Sequence, residues 1–162
     1  MPSRHSAAAA AEALVAVAPL AARWIERLLG AHRPPLTPPQ YLALRAIDRE
    51  PTSVSELARR AGVSGPAATQ LVNTLSDANL VERREARDDR RRQRLVLSSA
   101  GRRALRSADA LLTERLTALL APLPPPEVEA LARGLPVVEA ALAGTAPPRR
   151  PPPPPPHHRK RP

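Results

Sequence analysis

Cysteine is absent from this 162-residue chain, so disulfides, thiolate metal sites and thiol oxidation as a sensing chemistry are all excluded. Aromatic carbon is nearly absent too: there is no phenylalanine, one tryptophan (Trp24) and one tyrosine (Tyr41). The core must then be built from leucine, valine and alanine, which bury less area per residue than rings do. Such a core is thin for a monomer, and a partner chain would help it. The six glycines are scattered, so no phosphate-cradling loop exists. Residues 7–18 form an apolar run, but Glu12 interrupts it, short of the roughly 18 consecutive apolar residues of a membrane span. Only Arg4 precedes that run and no cleavage site follows it. The reading is a cytoplasmic protein with no membrane partner.

Base and proline are what the chain has in excess. Lysine and arginine total 25 against 15 acids, the formal charge is +10, and there are 22 prolines. The charge is local. Residues 81–106 hold ten arginines against four acids, residues 149–162 contribute +5, and the remainder sums to −1. Two basic foci on a small chain point to a polyanion partner.

Apolar residues at Leu14, Val17, Leu20, Ala21, Trp24 and Leu28 draw one stripe down a helix over residues 10–30, stopped by Gly30 and Pro34-Pro35. A second helix starts after Thr37, with Pro38 in its first turn and Gln40 completing a capping box, and ends at Glu50-Pro51. Ser53 and Glu56 make another capping box, opening a short helix through Arg60; Ala61-Gly62-Val63 is a tight turn. Ser64 caps a helix to about Asp77 whose inward face is Ala68, Leu71, Val72 and Leu75, and Asn79 suits a left-handed cap. Two short strands, near 80–85 and 93–97, flank a polar arginine-rich loop. Ser98 caps a long helix carrying Leu105, Leu112, Leu116, Leu119 and Leu120. A last helix over about 126–143 contains Pro136, which is expected to kink or split it. From Thr145 the chain is proline and base with nothing to bury, read as a disordered or polyproline tail.

This order predicts a mainly α fold with a small β-hairpin wing: a winged helix-turn-helix flanked by N- and C-terminal dimerisation helices. The expected divisions are an N-terminal dimerisation helix at 10–35, a DNA-binding winged helix-turn-helix at 36–100, C-terminal dimerisation helices at 101–143 and the tail at 144–162.

The functional signal lies in SVSELARRAGVSGPAATQLVNTLSDANLVERRE. A helix-turn-helix needs a short first helix, a glycine-bearing turn and a second helix small and polar enough to enter the major groove. A helical hairpin inside an ordinary bundle is the bland alternative, and the arginine-rich hairpin that follows weighs against it. Arginine at a wing tip lies well in a narrow minor groove while its neighbours contact phosphate. Asp88 and Asp89 lack the third group and the pocket that catalysis would need, so they are read as holding guanidinium groups in place.

With those strings on view, together with LTPPQYLALRAI and DDRRRQRLVLSSAGRRAL, the chain resembles the MarR family of bacterial winged-helix transcriptional regulators over roughly residues 10–143. The wing signature is the most specific part: Asp89, Arg90 and Arg91, then Leu97, Ser98 and Gly101. The resemblance implies a homodimer on a pseudo-palindromic operator, most often as a repressor, nucleoid-associated in a bacterial cytoplasm, with a small-ligand crevice between its two parts. Residues matched to DNA contact are Ser64, Pro66, Ala67, Thr69, Gln70 and Asn73 on the recognition helix, and Arg87, Asp89, Arg90, Arg91 and Arg92 on the wing. The recognition helix departs from the family in having no arginine or lysine; Gln70 stands where arginine is frequent. Glutamine pairs best with adenine, and small apolar groups touch the thymine methyl, so an A·T-favouring half-site is expected.

Trp24, His32 and Tyr41 fall where the crevice would lie and could stack on a small aromatic effector; core packing is the competing and favoured role. No histidine has ligand spacing to a carboxylate and no catalytic set can be assembled, so no metal, cofactor or enzymatic activity is expected. Two other functions remain open: a winged helix that binds another protein and no longer reads DNA, and a sequence-indifferent architectural DNA binder. The tail either reaches phosphates flanking the operator or has no role.

Overall fold

The computed structural model describes residues 4–61, 63–85 and 93–144. In chain order these form α1 (Arg4–Ala31), α2 (Pro38–Arg49), α3 (Val54–Ala61), α4 (Gly65–Asp77), β1 (Val81–Glu85), β2 (Gln93–Leu97), α5 (Ser99–Leu120) and α6 (Pro125–Gly144). The expected Gly62 turn centre, the wing tip at 86–92 and the tail from 145 lie outside the described residues.

Local chemistry sets the boundaries. Thr37 and Gln40 make the full capping box at α2, each bonding the other's backbone N–H. At α3 only half of the expected box forms: Ser53 Oγ accepts from Glu56 N–H, but the Glu56 carboxylate turns to Arg59 and Arg60. Two guanidinium groups attract a carboxylate more strongly than one backbone amide does. α1 begins six residues earlier than its leucine stripe implies, because the alanine-rich segment ahead of it has high helix propensity. By length and composition α1 is also apolar enough to cross a bilayer, though its end, at Leu29, is fully buried in the core below. Pro136 does not split the last helix, which runs unbroken through it. One lost N–H on an exposed face leaves the bonds on both sides to hold α6 together.

α4 ends in a Schellman motif. Asn79 takes φ 56°, Leu80 N–H reaches the Leu75 carbonyl at 2.9 Å, and Asn79 N–H reaches Ser76 at 2.8 Å. Ser98 then joins three elements: its N–H bonds the Leu80 carbonyl, its hydroxyl donates to the Asn79 carbonyl at 2.6 Å, and Oγ accepts from Gly101 N–H at 2.9 Å. Gly101 is required by contact, since a Cβ there would sit 1.9 Å from the Leu80 oxygen. The Leu97-Ser98-Gly101 part of the wing signature is therefore the clamp between the end of α4, the hairpin and α5.

The hairpin is antiparallel, with Val81 opposite Leu97, Arg83 opposite Leu95 and Glu85 opposite Gln93. Thr52 adds a single bridge to Leu95, its carbonyl accepting Leu95 N–H at 2.7 Å. The core is aliphatic as expected, with Leu29, Leu44, Leu57, Val72, Leu75 and Leu95 almost wholly enclosed and Tyr41 its one ring. Among the described residues, every buried one falls between Leu29 and Leu112.

Candidate nucleic-acid interface

α4 sits on the core through Ala68, Val72 and Leu75, all at 1% exposure or less. The same period turns Ser64, Pro66, Ala67, Thr69, Gln70 and Asn73 outward, so all six candidate residues of this helix share its exposed side. Ser64 Oγ is engaged as the N-cap, accepting from Ala67 N–H. The Thr69 and Thr74 hydroxyls donate to the Gly65 and Gln70 carbonyls at 3.0 Å each, which leaves their lone pairs outward but not their protons. The Gln70 side chain makes no protein hydrogen bond among the described residues. The exposed side carries no cation of its own.

One cation reaches it from the hairpin. Arg83 Nη2 donates to Asn73 Oδ1 at 3.0 Å. In sequence Arg83 counts only toward the bulk charge of the wing; strand alternation is the one signal that separates it from its neighbour, setting Arg83 on the face of Val81 and Arg84 on the other. Arg84 folds back on Glu82 through two N–H groups. Arg94 donates to the Pro51 carbonyl and Arg102 to the Leu97 carbonyl. Of the six described arginines in residues 81–106, four are thus tied to the protein. Arg87, Asp89, Arg90, Arg91 and Arg92 lie outside the described residues.

α3 is anchored by charge. Arg60 bridges Glu56 and Glu50 at 2.9 and 3.1 Å. Slight desolvation pushes the Glu56 carboxyl up, but Arg59 and Arg60 together hold it below its ordinary value.

Two of the three candidate ligand residues, His32 and Tyr41, are bonded to α5 and not to one another. His32 is buried, with Nδ1 donating to the Pro34 carbonyl at 2.7 Å and Nε2 paired with the Ser107 hydroxyl at 3.0 Å. Tyr41 is buried and donates to Asp109 Oδ1 at 2.5 Å, while the Arg45 guanidinium lies 5.8 Å over its ring. Burial and the Asp109 bond raise the Tyr41 phenol above its ordinary value. Trp24 is half-buried on α1. Next to the His32 bonds lies a cavity of about 400 Å³ lined by Arg33, Pro34, Leu80, Arg103 and Ser107 among others. No group of three His, Asp or Glu among the described residues could hold a metal ion.

A model of the MarR family matches residues 35–92. No curated protein sequence matches the chain. Among solved structures, a MarR family protein from Bacillus stearothermophilus aligns with a TM-score of 0.74 at 21% identity, covering 88% of this chain and 99% of that one. The transcriptional regulator BldR from Sulfolobus solfataricus aligns at 0.68 and 24% identity, covering 87% and 99%. A Mycobacterium tuberculosis MarR family protein in complex with p-aminosalicylic acid aligns at 0.64 and 26% identity, covering 80% and 97%. The helix-turn-helix and the clamped hairpin agree with these matches: residues 35–92 fit the MarR family model, and the fold is that of the MarR winged-helix proteins.

Proposed function

We propose that the chain acts as a homodimer that binds a pseudo-palindromic operator sequence-specifically, most often to repress, in the cytoplasm and on the nucleoid. The observation that carries this reading is the exposed, small-polar side of α4 beside an arginine-bearing hairpin. Ser64, Pro66, Ala67, Thr69, Gln70 and Asn73 enter the major groove, with Gln70 and its small neighbours favouring A·T pairs. Arg90 and Arg91 anchor the wing in the minor groove, Arg87 and Arg92 contact phosphate, and Asp89 holds the guanidinium groups in place.

The division into a reading module at 36–100 and dimerisation helices at 10–35 and 101–143 is supported by where apolar surface is left uncovered. Leu14, Val17, Leu20, Leu119, Leu135 and Leu142 are all exposed in the single chain. A second copy covers them and sets two recognition helices roughly one DNA turn apart.

A small aromatic effector would act through α5. An aromatic acid in the cavity beside Ser107 meets Arg33 and Arg103, and by competing for the His32–Ser107 bond it shifts α5, which joins the reading module to the dimer helices. Trp24 and Tyr41 then serve mainly as packing.

Selection from a random duplex library by the purified protein tests the reading. Symmetric half-sites one turn apart support it; equal retention of all duplexes indicates architectural binding, and no retention indicates a protein-interaction module. Half-sites made only of G·C pairs rule out the base preference. Arg90→Ala is expected to lose about 1–3 kcal/mol of operator affinity and flatten its salt dependence.

A further inference from the structure

We propose that Arg83 and Asn73 form one base-reading unit that selects guanine, with Arg83 deciding which end of the Asn73 amide the groove meets; this rests on the DNA-reading role proposed for α4.

Arg83 lies directly across the hairpin from Leu95, on the same face, and Leu95 is only 1% exposed. Its stem starts from the buried face of the hairpin while its head emerges beside α4, as long basic side chains do at the rim of a core. There it donates to Asn73 Oδ1 at 3.0 Å. A guanidinium has five N–H donors and no acceptor, so the carboxamide can meet it only through oxygen. The Nδ2 amino group is therefore turned away from Arg83, on an exposed residue, with no protein acceptor among the described residues.

This matters because an unconstrained asparagine reads adenine with both ends, donating to N7 and accepting from the N6 amino group. Here one of the two lone pairs of the accepting end is already taken by a cation. What the unit adds to the groove is donors: Nδ2 of Asn73 and the remaining N–H groups of Arg83. Guanine presents two acceptors, N7 and O6, on its major-groove edge, whereas adenine sets its amino group against a donor. Thr69 and Thr74 do not duplicate this surface, since their hydroxyl protons are bonded within the helix. The half-site is then A·T-rich with one G·C pair opposite Asn73.

The test is library selection with the full-length wild type, Arg83→Gln and Arg83→Lys, each first checked for wild-type thermal unfolding. Glutamine removes the charge and can turn its own carbonyl toward Nδ2, which frees the amide; lysine still offers only donors to Oδ1. The wild type should prefer guanine over adenine by roughly tenfold at one half-site position. Arg83→Lys should keep that preference, and Arg83→Gln should lose it or reverse it to adenine with other positions unchanged. Affinity lowered equally for all sequences, with the guanine preference intact in Arg83→Gln, makes Arg83 a phosphate contact and overturns the inference. A selected half-site without any guanine position overturns it too, while leaving the role of α4 standing. A wild type that selects no sequence overturns both. Should Arg83→Gln fail to fold, Asn73→Ala, at an exposed helix position, must abolish the same preference.

Discussion

The segment from Leu29 to Leu112 and the helices on either side of it use the same side chains to opposite ends. The inner segment holds every buried residue among those described, and most of its leucines are covered. Leu14, Val15, Val17 and Leu20 on α1, Leu116 and Leu119 on α5, and Leu131, Leu135 and Leu142 on α6 are as apolar yet stand exposed. Among the described residues inside the segment only Leu42 and Val63 do so. α6 is joined to α2 by an ion pair, Arg49 to Glu139 at 3.2 Å, whose side chains are both about two-thirds exposed. A pair that exposed contributes little. The winged helix is thus complete within one chain, whereas the terminal helices leave apolar surface open, which is the surface the proposed dimer would cover.

The largest effect should come from attacking that second half. Leu20→Asp with Leu135→Asp removes four leucines from the proposed dimer, on the order of 6 kcal/mol of burial before the carboxylates add their own desolvation cost. Light scattering should report the monomer mass while tyrosine near-ultraviolet dichroism, which reads the inner core, is kept. A variant that remains dimeric would place the interface elsewhere.

Gly101→Ala strikes the inner segment at its clamp. With a Cβ 1.9 Å from the Leu80 oxygen, either the α5 N-terminus or the Schellman turn must move, and a loss of about 3–5 kcal/mol is expected in chemical denaturation. Wild-type stability in this variant would show that the clamp yields freely.

Tyr41→Phe tests the seam between α2 and α5. Losing the bond to Asp109 should cost about 1–2 kcal/mol at neutral pH. The folded-state phenol titrates above its ordinary 10.0, so its contribution is complete below that pH and is lost as pH rises through the raised value. Stability of the wild type should therefore fall more steeply above pH 10 than that of Tyr41→Phe; parallel profiles would contradict the assignment.

The smallest change is expected at Thr52, which is 4% exposed with a hydroxyl that finds no partner among the described residues. Thr52→Val should be neutral or stabilising by up to about 1 kcal/mol, since it removes an unsatisfied buried oxygen and keeps the β-branched shape beside Leu95. A loss above about 1 kcal/mol in urea denaturation would mean the hydroxyl is bonded in solution.

Local code explains why so much was legible. Thr37 with Gln40, Ser64, Asn79 and Ser98 are capping or turn residues whose cap or turn bonds reach no further than four positions, so those roles can be read without knowing the fold. The inward face of α4 follows from helical period in the same way. Of the two outcomes expected at Pro136 the split does not occur, because a proline's local penalty is visible in sequence while the rest of α6, which outweighs it, is not a local property.

The reading of the interface divides along the same line. That α4 faces outward with small uncharged side chains, and that the charge gathers in wing and tail, follow from composition and period alone. That Arg83, ten residues further on, governs the Asn73 amide depends on a hairpin returning against the helix. That His32 and Tyr41 are pinned to Ser107 and Asp109 depends on α5 packing across residues about seventy positions earlier. Sequence by itself determined the elements, their caps, the aliphatic core and the surplus of apolar surface at both ends. Tertiary structure decided which arginines are free and which are held, because a guanidinium's partner is set by what the fold brings within 3 Å and not by its neighbours along the chain.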